Sequence, residues 1–112
     1  MTEPAGMHEL WHEWRTAVNM TATQLEDWLE TKDSASVHDS GTAGGSTARA
    51  TGRRIVSLLH EHQADITDDE AAFMRTVVAE IHHHLGKGVP QHDQAHSKWR
   101  FALMNLGHDP LR

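Results

Sequence analysis

Residues 67–85 read TDDEAAFMRTVVAEIHHHL, and this stretch decides the fold. Met74, Val77, Val78, Ile81 and Leu85 recur at intervals of one, three and four, the spacing that lines one side of a helix. Thr67 with Glu70 three positions on forms a capping box, each side chain satisfying the other residue's backbone N–H. Asp68 and Asp69 place negative charge where the helix dipole favours it, and Gly86 is expected to end the helix. The spacing therefore predicts a central helix over roughly 68–85, buried along one stripe, with the other helices packed about it. Arg75 and His82, seven residues apart, share the flank beside that stripe.

The same periodicity extends outward in both directions. Ile55, Leu58 and Leu59 predict a helix that starts near Thr47–Thr51, and Trp99, Ala102, Leu103 and Leu106 predict one over about Asp93–Leu106. Near the N-terminus, Leu10, Trp11, Trp14 and Val18 predict a helix from Met7 to about Asn19. Thr21 and Gln24 form a second capping box, opening a short helix that carries Leu25, Trp28 and Leu29. These two helices are close enough in sequence to pair as an αα-hairpin or helix-turn-helix. KDSASVHDSGTAGGSTA (32–48) is small, polar and Gly/Ser-rich and is expected to be a flexible loop; GKGVPQHDQ (86–94) is a second loop. The tail from His108 to Leu111 is expected to be ordered but not helical, because Pro110 biases Asp109 away from helical geometry. No segment alternates with period two. The expectation is one all-α domain over residues 1–112, built from about five helices.

Composition narrows the function classes. The chain has 112 residues and no cysteine, so disulfides and thiolate metal sites are excluded. No apolar run approaches the ~18 residues of a membrane span, and a soluble, cytoplasmic protein is expected. The net charge of −6 is unevenly placed. Residues 1–48 hold two basic and eight acidic side chains, whereas from Arg49 onward eight basic residues balance eight acidic ones. Such a balance argues against non-specific wrapping of nucleic acid and leaves room only for a local arginine cluster. Eight of the eleven histidines lie in the second part, so net charge should change steeply around the ordinary imidazole range.

Three constellations bear on chemistry. Arg53 and Arg54, expected at a helix start behind Thr51-Gly52, would meet an anion together with free helix N–H groups; the alternative is that one of them pairs with a carboxylate of the acidic N-terminal part. With Arg75 and Arg100 they would form a nucleic-acid or anion patch if the fold brings them together. His82, His84, His108 and Asp109 are candidates for a metal- or proton-handling site, although adjacent residues of a helix point about 100° apart and His82-His83-His84 cannot all grip one ion. The third constellation, Asn105 to Pro110, would serve the fold by bonding backbone groups, with His108 satisfying a carboxylate or carbonyl. No strained nucleophile turn or phosphate loop is present, so catalysis ranks behind binding and no cofactor is expected.

AVNMTATQLEDWL (17–29), TGRRIVSLL (51–59) and MRTVVAEIHHHL…KWRFALMNLGHDPLR (74–112) together resemble the family catalogued as domain of unknown function 3140. The resemblance rests on Trp28, Gly52, Arg53, Arg54, Met74, Arg75, His82, His84, Trp99, Arg100 and the run Asn105 to Pro110. The family usually carries Gly-His where Ala48-Arg49 stand and Trp where Leu106 stands, and often His and Lys at Phe73 and Thr76. Its members are often labelled DNA-binding, so the resemblance implies DNA or another anionic partner rather than a reaction; a protein partner stays open. A purely structural scaffold is the remaining reading.

Overall fold

Helix caps and apolar stripes account for most of the architecture. In a computed structural model, which describes residues 6–36, 48–87 and 94–111, the helices are α1 (Met7–Ala17), α2 (Ala22–Leu29), α3 (Lys32–Ala35), α4 (Ala48–Leu59), α5 (Asp68–Gly86) and α6 (Lys98–Asn105). Short 3-10 turns at Gln63–Asp65 and Gln94–His96 precede α5 and α6. No strand occurs among the described residues, and no described helix is long and apolar enough to cross a membrane. The all-α expectation holds, with five longer helices and the four-residue α3.

Both capping boxes form as read: Thr21 and Gln24 cap α2, and Thr67 and Glu70 cap α5. Thr31 and Ser97 cap α3 and α6 by accepting from the N–H of Ser34 and Arg100. The Ser97 cap splits the helix expected from Asp93, so the 3-10 turn and α6 stand in its place. Of the stretch 32–48 expected to be a flexible loop, Lys32–Ala35 is helical and Ala48 opens α4, while 37–47 lies outside the described residues. So do Pro90 of the second loop and Arg112. α5 ends at Gly86 as expected, but not through a left-handed glycine: Lys87 is the C-cap, and its φ of −71° is right-handed.

The stripe of α5 is buried at Met74, Val77, Val78 and Ile81, joined by Ala71 and Phe73, and packs mainly on α1 through Leu10, Trp14 and Ala17 of the shared core. Leu85, expected as the stripe's last member, is 37% exposed. α2 packs on α4, and the eight-residue α6 touches α2, α3, α4 and α5. α6 is therefore where the α1–α5 and α2–α4 pairs meet. Leu103 and Leu106 fill that junction at 0% and 1% exposure. A tilted Trp28–Phe101 ring pair, with centroids 5.4 Å apart, adds an aromatic contact between α2 and α6.

Gly52 belongs to the same junction. A Cβ there would lie 2.6 Å from a Leu29 methyl and 3.0 Å from the Asn105 carbonyl oxygen. Its smallness lets α4 approach α2 and α6, and it is not a place where backbone could meet a phosphate.

Candidate functional site

The run Asn105 to Pro110 holds the helices together. Asn105, 1% exposed, accepts from Trp28 Nε1 (2.8 Å) and from the Ser34 hydroxyl (2.5 Å), and donates to the Ser34 carbonyl (3.2 Å). One amide thus ties α2, α3 and α6. Gly107, at φ +83°, ends α6 in a Schellman motif: its N–H donates to the Met104 carbonyl and that of His108 to the Leu103 carbonyl. Its own carbonyl accepts from the Met20 N–H (3.1 Å), docking the tail on the α1–α2 link.

Asn19 and Asp109 exchange two bonds across that junction. The Asp109 N–H donates to Asn19 Oδ1 (2.8 Å) and Asn19 Nδ2 donates to the Asp109 carbonyl (3.0 Å). The Asp109 carboxylate takes Arg100 in a two-pronged pair, Nε to Oδ1 at 3.1 Å and Nη2 to Oδ2 at 3.0 Å, and accepts the Leu111 N–H as well. Arg100 Nη1 donates to the Ala95 carbonyl (2.9 Å). Asp109→Asn would replace one acceptor by an NH2 group facing the guanidinium, and urea unfolding should show a loss of about 1–3 kcal/mol. Unchanged stability would mean that the pair does not hold the tail.

The arginines expected to converge are dispersed. Arg100 is committed to Asp109. Arg53 and Arg54 sit in the second turn of α4, which begins at Ala48, so the helix-start anion site expected there does not form. Arg53 lines a groove of about 210 Å3 with Leu29, Val56, Glu26 and Glu30. The Arg54 guanidinium lies over the Phe73 ring, 4.2 Å from its centroid. Arg54 thereby reaches the turn of α5 that carries Arg75, although Phe73 and Arg75 face different sides of that helix. All three side chains are exposed, and among the described residues no carboxylate forms an ion pair with any of them. Arg53 nevertheless shares its groove with Glu26 and Glu30 of the acidic N-terminal part.

The metal- and proton-handling candidates also separate. Asp109 faces Arg100, and His84 pairs with Glu80 (3.9 Å) one turn back while its carbonyl accepts from Trp99 Nε1 (2.9 Å). Only His82 and His108 come together, in a groove that also admits His12. No three His, Asp or Glu side chains among the described residues are placed to hold a metal ion. Sequence reasoning misses His12, whose position on α1 gives no signal, and Ser34, a polar residue in a segment without an apolar stripe.

A family model described as "Protein of unknown function (DUF3140)" matches residues 13–104. Neither the curated proteins nor the solved structures give a match to this chain.

Proposed function

The chain belongs to the DUF3140 family of proteins of unknown function, and we propose that it works as a non-catalytic interaction module for an anionic partner, DNA foremost. The observation that carries this reading is that Arg53, Arg54 and Arg75 stand exposed and form no ion pair with a carboxylate among the described residues, in a protein of net charge −6. Most residues behind the family resemblance serve packing or bonding within the fold. Trp28 and Asn105 hold each other, Gly52 and Met74 are buried, and Arg100 holds Asp109. Arg53, Arg75 and His82 are exposed and show no hydrogen bond or ion pair of this kind among the described residues. Arg54 is exposed and its guanidinium stacks on Phe73, which orders it in a way that suits contact with a phosphate. The surrounding acidity keeps the expected contact local and weak. A cytoplasmic setting goes with such a partner.

Titration of a fluorescent DNA duplex over a salt series tests this. Binding should appear at ~50 mM salt and weaken steeply by ~200 mM, because each neutralised phosphate releases counterions. Arg54→Ala with Arg75→Ala should reduce both the affinity and the salt slope, the slope by about two. Absence of binding at the lowest salt, or binding indifferent to salt, would overturn the reading.

A further inference from the structure

We infer that the groove between α1 and α5 is a binding site for a small monocarboxylate with a short apolar body. It has a volume of about 270 Å3, is open to solvent, and is lined by His12, Glu13, Thr16 and Ala17 of α1, Ile81, His82 and Leu85 of α5, and His108 of the tail. Ligand sites of drug-sized molecules begin near ~300 Å3, so this one suits a compact molecule of one ring or a short chain.

Three imidazoles from three separate parts of the chain meet on this one cavity. His108 is held in place: its Nδ1 lies 2.6 Å from the Ala17 carbonyl oxygen. A carbonyl can only accept, so Nδ1 carries a hydrogen; Nε2 is an acceptor in the neutral ring and donates to a carboxylate only in the imidazolium form. His12 and His82 are exposed and offer further N–H donors. Besides the imidazoles, Glu13 and Thr16, the wall is apolar: Ala17 and Ile81 are buried, whereas Leu85 is 37% exposed although it continues the stripe of α5. Imidazoles and aliphatic carbon lining one cavity match a molecule with an anionic head and an apolar body.

Glu13 restricts the charge of that head. The titratable groups facing the groove are His12 and Glu13 from α1, His82 from α5 and His108 from the tail. One carboxylate among three imidazoles opposes a divalent anion more than a monovalent one. Binding a carboxylate favours the imidazolium forms, so the protein takes up protons on binding and affinity rises as pH falls. This site does not depend on the arginine surface.

The test is an NMR titration of the full chain with benzoate, following backbone amides and the histidine ring resonances. Saturable shifts should centre on Ala17, Ile81, Leu85 and His108, with affinity about tenfold tighter near pH 6 than near pH 8. Benzyl alcohol, with a similar body and no charge, and sulfate, with charge and no body, should each bind at least about tenfold more weakly. His12→Gln with His82→Gln, at two exposed positions, should weaken benzoate by about fivefold or more and flatten the pH dependence. Arg54→Ala should leave it unchanged, which separates this site from the arginine surface. The inference is overturned by shifts that do not saturate, by sulfate or benzyl alcohol matching benzoate, or by a double variant that binds as the parent does.

Discussion

Asn105→Leu is expected to lower stability by about 3–5 kcal/mol in urea unfolding, despite the near-equal volume of the two side chains. Leucine fills the space but leaves three polar groups without their partner: the Trp28 indole N–H, the Ser34 hydroxyl and the Ser34 carbonyl. Ser34 is 0% exposed, so water does not replace what is lost there. Trp28 is only half-buried, and its N–H recovers part of its bonding from solvent. Ser34→Ala removes one donor and leaves Asn105 paired with Trp28, and should cost about 1 kcal/mol. Trp28→Phe leaves Asn105 paired with Ser34 but also shortens a ring packed on Phe101, and should cost about 1–2 kcal/mol. The two smaller changes combined should deviate from additivity, because both act on the same Oδ1 atom. A loss under ~1 kcal/mol for Asn105→Leu would mean that this amide does not hold α2, α3 and α6 together.

This cluster also marks where the sequence stops being legible. α2 and α5 are readable because their signals are local: a capping box spans four residues and an apolar stripe repeats within a turn or two. The partners of Asn105 lie 71 and 77 positions away, and no local spacing reports a contact that the fold creates. α3 escapes a reading by pattern because its buried residue is a serine, which hydrophobic patterning ignores. The repeat of α5 continues through Leu85 and so assigns it to the core; instead it forms part of a groove wall beside α1. Thr51-Gly52 resembles a break in sequence, which would set Arg53 and Arg54 at a helix start, yet α4 runs through it. There the glycine answers to close packing on Leu29, a demand that is visible only in three dimensions. The site is legible in part: His82 and His108 do share a cavity, but His84 and Asp109 are engaged elsewhere.

Gly107→Ala should cost about 2–4 kcal/mol, the sum of two penalties that other glycines separate. The first is conformational: a φ of +83° is left-handed, and holding it costs an L-residue about 1–2 kcal/mol. The second is steric, because the new Cβ would stand 2.8 Å from Val18 Cγ1. Val18 is itself 5% exposed, so neither it nor the tail moves aside without disturbing the Met20–Gly107 bond. Gly6 has nearly the same φ, +85°, and among the described residues nothing within 4 Å of its Cβ position. Gly6→Ala therefore measures the first penalty alone and should cost about 1 kcal/mol. Gly86, inside the last turn of α5 with no neighbour within 4 Å among the described residues, carries neither, and Gly86→Ala should leave stability equal or higher by up to ~1 kcal/mol. The order Gly107, Gly6, Gly86 in urea midpoints is the check. If Gly107→Ala falls level with Gly6→Ala, the tail is not seated on Val18, and the groove wall formed by His108 loses its support.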